Sequence, residues 1–373
     1  MKFQLSTKSF SEALQHVSRA VPPKSVMPAL EGILLKAQPG IVQLTGYDLE
    51  MGIETQLEAD VTEPGSIVLS AKLLVDIIRR LPDDKVYLSS DDKNLTTISS
   101  GRSEYTILGL SPLEYPDLPE VDGVTALSFS QHLLKGMIEQ TRYAIASSDT
   151  MPVHKGSLFS IENGTFDLVS VDGCRLALRT EAYSTDEPVR FIVPGKTLSD
   201  LSKMLSDDGK SEEEQPEPVQ VFVAPKHIVF SVGPYKVISR LLEGNFLDYQ
   251  NAIPKTSKTT VTMTARAVTE AVERASLIID DKLKNPIKCS FADGQLTVTS
   301  TTSMGRATDV IDCAMEGEPV EIGFNSSFLL EALKNADCDE ITFQLSGPLS
   351  PMKVMPSHGD YFTFLVLPVR IRS

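Results

Sequence analysis

The chain has 373 residues, 41% hydrophobic and 23% charged. This excludes a disordered or fibrous protein and is too long for one ordinary core, so two or three domains are expected. No apolar run approaches the roughly 18 residues needed to span a membrane, and MKFQLSTKSF at the start lacks the apolar stretch of a secretory signal, so a cytosolic address is expected. The formal charge of −15 argues, taken whole, against nucleic acid, whose phosphates call for a basic surface.

Taken in chain order, the elements repeat. FQLSTKSFSEALQHV from Phe3 reads as a strand running into a helix over Lys8–Arg19, with Phe10, Ala13, Leu14 and Val17 on one face and Ser9 as N-cap. An alternating hairpin follows at Gly40–Thr55, where Val42 and Leu44 share a face. GSIVLSAKLLVDIIRRL from Gly65 is a strand and a second helix, Ala71–Leu81, with Leu73, Ile77, Ile78 and Leu81 as its apolar stripe. GRSEYTILGL from Gly101 closes the unit, and the proline-rich join Ser111–Gly123 ends it.

The same four blocks return in the same order. The second unit has LSFSQHLLKGMIEQT from Leu127 (helix Ser130–Ala146, capped by Ser130) and a hairpin at Gly164–Thr180 with Phe166 and Leu168 inward. VRFIVPGKTLSDLSKML from Val189 follows, with a helix over Gly195–Leu205, and GPYKVISRLL from Gly233 closes it. Within this unit the acidic, proline-punctuated Ser206–Pro218 reads as a mobile surface loop. After the join Leu247–Lys258 the third unit has VTMTARAVTEAVERA from Val261 (helix Ala265–Leu277) and a hairpin at Gly294–Asp309 with Leu296 and Val298 inward. VEIGFNSSFLLEALKNA from Val320 (helix Ser326–Ala336, capped by Ser326) and HGDYFTFLVL from His358 complete it. The turn glycines at 40, 164 and 294 are 124 and 130 residues apart. Three such units, each with two helices and about eight short strands, predict an α+β protein of three tandem similar domains, helices packed on antiparallel sheet. The expected domains are 1–123, 124–254 and 255–373.

The charge is unevenly spread. The six predicted helices hold twelve basic and seven acidic residues, a net +5, which leaves −20 for the rest of the chain. Helices lining one face would attract a polyanion while the outside repels it, although basic residues on helices are also common as ordinary solvated faces.

Chemistry-bearing motifs are missing. The four cysteines, Cys174, Cys289, Cys313 and Cys338, form no C-x-x-C pair, which argues against a zinc site and a disulfide framework. The five histidines show no metal-ligand spacing, and there is no phosphate loop, dinucleotide fingerprint or nucleophile elbow. His154 with Asp172 and a serine would make a triad only on paper; a surface histidine and a turn aspartate before Gly173 is the plainer reading.

SVMPALEGILL (Ser25–Leu35), LTGYDLEMGI (Leu44–Ile53), SVDGCRLAL (Ser170–Leu178), EGNFLDYQNAIP (Glu243–Pro254), IGFNSSFLLEAL (Ile322–Leu333) and LVLPVR (Leu365–Arg370) together resemble the bacterial DNA polymerase III β-subunit family, from end to end of the chain. The resemblance implies a non-catalytic processivity factor without cofactor or metal. It implies a head-to-tail homodimer closing into a ring that encircles duplex DNA without sequence preference. In the cytoplasm, near the nucleoid, this ring would tether polymerases, clamp loader and repair factors through short hydrophobic peptides, with no membrane partner.

Carried over by motif, the resemblance implies a peptide slot walled by Val171, Gly173, Arg175, Leu176 and Leu247. Its other side would be Pro351, Met352, Leu367, Pro368, Val369 and Arg370. Arg175 and Arg370 are expected to meet backbone or acidic groups of the peptide. The family usually shows Thr at Val171, His at Cys174 and Pro at Leu247, and the chain runs three residues past Arg370. DNA contacts are expected at Lys24, Lys72, Arg79, Arg80, Arg142, Lys196, Lys203 and Lys284, and ring closure at Arg102, Ile107, Leu277 and Ile278. Two other classes stay open on sequence: a hydrolase with an unmarked site between units, and a monomeric peptide-binding adaptor.

Overall fold

A computed structural model of the chain describes residues 1–121, 125–148, 150–207, 216–279 and 286–371. Lys284 and most of the acidic segment Ser206–Pro218 lie outside these residues. The helices are α1 (Thr7–Val17), α2 (Ala71–Ile78), α3 (Gln131–Thr141), α4 (Gly195–Ser202), the single turn α5 (Tyr249–Ala252), α6 (Ala265–Ser276) and α7 (Ser326–Lys334). All six long helices fall where the repeat places them. Their C-terminal ends come earlier, because α1 and α3 tighten into 3₁₀ turns at Ser18–Ala20 and Arg142–Ala144.

Local readings needed correction at the caps and on α2. Ser6, the last residue of the opening strand, caps α1 by accepting from the Ser9 N–H, so Ser9 lies inside the helix. Asn325, not Ser326, caps α7, accepting from the N–H groups of Ser327 and Phe328. In α2 the buried face is Ala71, Leu74, Ile77 and Ile78, whereas Leu73 is half exposed. The adjacent pair Leu73-Leu74 fits two helical phases equally well, and only packing selects one.

Among the described residues all ladder pairings are antiparallel. The chain forms two compact units, residues 1–134 with 200–241 and residues 135–199 with 242–373. The second repeat is shared between them, because sheets run across the repeat boundaries. In the first unit, Tyr235–Arg240 pairs with Met51–Glu58, so an eight-stranded sheet joins the end of the second repeat to the first. In the second unit, Arg175–Ala182 pairs with Phe362–Val366 inside a nine-stranded sheet. A strand edge at each boundary is thereby filled by the next repeat. A five-stranded sheet in the first unit ends on Ser103–Leu108, and a four-stranded sheet in the second is bounded by Gly305–Asp312 and Val320–Phe324.

The core follows the repeat. Val42 and Leu44, Phe166 and Leu168, and Leu296 and Val298 are all fully buried. α1 packs on strands of both sheets of the first unit, and α6 does the same in the second. Each of these two helices thus buries its apolar face between two sheets.

Candidate functional site

The slot residues lie in the second unit, and the register explains how they meet. Val366 stands opposite Arg175 on one side and Met352 on the other, so three strands bring these positions into one row. Leu176 stands opposite Leu365. Just past the row, the Leu367 N–H donates to the Cys174 carbonyl at 2.9 Å. The tight turn at Asp172–Cys174 uses Gly173 at φ +88, while the Asp172 carboxylate accepts from the N–H groups of Cys174 and Arg175. Val171 and Leu176 are buried with Tyr249, whose hydroxyl donates to Asp167 at 2.8 Å. Tyr249 begins α5, whose N-cap, Asp248, directly follows Leu247. Leu247, Leu367 and Val369 are about two-fifths exposed, Pro351 and Pro368 are half-buried, and Arg370 is exposed. The result is an apolar lip over a closed apolar floor.

Two residues differ from expectation. Met352 is only 1% exposed and belongs to the floor rather than the wall. Arg175 is 9% exposed and already engaged: its Nε donates to Asp172 at 2.9 Å and its Nη1 to Glu331 of α7. Its guanidinium lies 4.5 Å from the Phe328 ring centroid and 5.4 Å from that of Tyr143. Burial alone would favour loss of its charge, but the bonds to Glu331 and Asp172 outweigh it and hold its pKa above the usual value. Arg175 therefore ties α7 and the turn together beside the slot. Its principal partner, 156 residues away in sequence, gave no local signal.

His154 is buried rather than on the surface, edge-on to Phe246, and burial lowers its pKa. Asp172 is bound to Arg175 and the turn amides, so no triad forms there. Among the described residues no cluster of His, Cys, Asp or Glu is placed to hold a metal, and no helix is long and apolar enough to cross a membrane.

The basic residues are all exposed: Lys24, Lys72, Arg79, Arg80, Arg142, Lys196 and Lys203. Their placement refines the charge reading. Within its observed bounds each long helix carries equal numbers of acids and bases. The excess counted from sequence is Arg19, Arg79, Arg80, Arg142 and Lys203, each just past a helix C-terminus. Cations there are favoured by the helix dipole. Arg80 also donates to the carbonyl and the carboxylate of Asp76 at 2.7 Å each, and Lys203 approaches Asp200 at 3.3 Å.

At one sheet edge, Arg102 is exposed and Ile107 half-buried, on or beside the Ser103–Leu108 strand. Leu277, the C-cap of α6, is 84% exposed, and Ile278 is half-buried. The sequence reading missed Tyr105 and Leu108, exposed on the first edge, and Val310, exposed on the Gly305–Asp312 edge. Alternation there was visible, but which face stayed bare was not.

Three tandem α+β repeats whose sheets continue from one repeat into the next define a repeat-built scaffold. The chain belongs to the DNA polymerase III β-subunit family, the β sliding clamps. The family's N-terminal, central and C-terminal domains match residues 1–119, 128–248 and 250–370. The chain is 34% identical to the β sliding clamp of Staphylococcus epidermidis, over 99% of each chain. Its fold matches the Bacillus subtilis sliding clamp at a TM-score of 0.94 with 30% identity, and a Pseudomonas aeruginosa clamp bound to griselimycin at 0.92 with 26%, each over both full chains. The protein is a sliding clamp, a non-catalytic processivity factor of DNA replication.

Proposed function

We propose that two copies of the chain join head to tail into a ring around duplex DNA and hold polymerases, clamp loader and repair factors by short apolar peptides. The observation that carries this reading is a pair of unpaired sheet edges with exposed apolar side chains, Tyr105 and Leu108 on one and Val310 on the other, the latter with Leu277 exposed on the helix packed against that strand. An open edge of this kind calls for a partner strand, and a heterologous contact that closes by rotation gives a finite ring. Arg102, Ile107, Leu277 and Ile278 belong to that contact.

Lys24, Lys72, Arg79, Arg80, Arg142, Lys196, Lys203 and Lys284 meet phosphates and read no bases, which suits a ring that slides. Val171, Gly173, Leu176, Leu247, Pro351, Met352, Leu367, Pro368, Val369 and Arg370 form the peptide groove, with Arg175 holding its frame. The domains run 1–123, 124–254 and 255–373, and the protein works in the cytoplasm on the nucleoid. The test is retention on nicked circular DNA after loading. Release on linearisation is expected; equal retention on linear and circular DNA would refute encirclement.

A further inference from the structure

We infer that Gly323 is a positioning residue for the peptide groove, the seat on which the C-terminal segment Leu367–Ile371 rests; this builds on the groove proposed above. The comparison of repeats points to it. In each repeat the chain leaves the closing strand and returns one N–H to the strand before the second helix. Leu110 donates to the Val68 carbonyl at 2.8 Å, Leu242 to Ile192 at 3.0 Å, and Val369 to Gly323 at 2.8 Å. The first two acceptors are valine and isoleucine, both buried. The third is glycine.

Gly323 is outside the left-handed region, so backbone freedom does not explain it. Space does. A Cβ there would come within 2.7 Å of Ile371 Cγ1 and 2.8 Å of the Val369 carbonyl oxygen. In the first two repeats the returning chain is pinned further on by a buried tyrosine: Tyr115 donates to the Thr45 carbonyl, and Tyr249 to Asp167. In the third, Ile371 packed over the bare Cα of Gly323 fills that role. The segment thereby lies along Val320–Phe324, an edge strand of its sheet, and holds Leu367 and Val369 at the lip. A lip fixed in advance spares the peptide the cost of ordering it.

The test uses the full-length dimer and a fluorescein-labelled pentapeptide with leucine and phenylalanine anchors. Exchange of the Val369 amide is followed alongside. Gly323→Ala is expected to weaken the peptide about tenfold, or about 1.4 kcal/mol, and to speed Val369 exchange at least as much, with dimer mass and melting temperature unchanged. Ile371→Ala, at a residue 38% exposed, should act in the same direction without threatening the fold, and Ile371→Val should restore both readouts. Leu247→Ala, on the opposite wall, reports on the groove alone. If Leu247→Ala weakens the peptide while Gly323→Ala and Ile371→Ala bind as wild type, the seat is refuted. If all three bind as wild type, the groove reading falls and the seat with it.

Discussion

Leu277→Ala separates ring closure from folding more cleanly than any other substitution at the chain's ends. Leu277 follows α6 as its C-cap and is 84% exposed. Truncating so exposed a side chain moves the stability of the subunit itself within about 0.5 kcal/mol. Ile278 is half-buried, so changing it as well would mix internal packing into the result. If closure buries Leu277, the alanine forfeits three carbons at about 0.8 kcal/mol each, or about 2.4 kcal/mol per interface. Separation into subunits breaks two such interfaces, which doubles the effect to about 5 kcal/mol. At about 1.4 kcal/mol per decade, the dimer dissociation constant should rise between three and four decades. A dilution series read by mass photometry or sedimentation measures this directly. Leu349→Ala, 74% exposed in the turn before Pro351 and on neither of the two edges, serves as the control and should leave the constant unchanged. An unaltered dissociation constant in Leu277→Ala, beside an unaltered melting temperature, would refute the interface.

Two further outcomes follow from the charges. Asp76 holds Arg80 at 2.7 Å and Arg79 at 3.8 Å, and the Arg80 hydrogen bond keeps its carboxyl below the usual range; Asp76→Asn should free both cations and steepen the salt dependence of DNA binding by up to about 0.9 per phosphate newly engaged, whereas an unchanged slope would remove them from the contact. Burial lowers the pKa of His154 in the folded chain, so the native state resists a proton that the unfolded chain accepts near pH 6.5; its stabilising effect is complete above that pH and is lost as the pH falls below it. The melting temperature should therefore decline from pH 7.5 to pH 5 less steeply in His154→Leu than in the wild type, and parallel declines would refute the assignment.

Much of this was legible because the chain states its plan three times. One strand-helix match is weak, but four blocks in fixed order locate every long helix and each central hairpin. What escaped was whatever depends on a partner distant in sequence. Alternation shows that Met51–Glu58 is a strand, yet nothing in it says that Tyr235–Arg240 lies beside it. That Arg175 meets Glu331 and Phe328 was equally invisible, because only folding brings them to it. The cap of α1 was placed three residues late because the strand flows into the helix at Ser6 without a break in polarity.

The repeats also show where the chain keeps shape and where it changes chemistry. Counted from the first residue of the leading helix of each repeat, Arg19 after α1 and Leu277 after α6 are equivalent by position, while Arg142 after α3 stands one place earlier, level with Ser18 and Ser276. A cation at a helix C-terminus gains about 0.3–1 kcal/mol from the dipole, so the two arginines are stabilising before any phosphate arrives. The leucine has no such local return; exposed as it is, it costs solubility unless something covers it. In the proposed ring the position that holds a helix-terminal cation in the first repeat thus serves the second subunit in the third. Gly323 against Val68 and Ile192 is the same kind of departure, one residue changed where the third repeat must receive its own C-terminal segment. Divergence between equivalent positions of a repeat, read against a fold that holds them equivalent, locates function that no local motif marks.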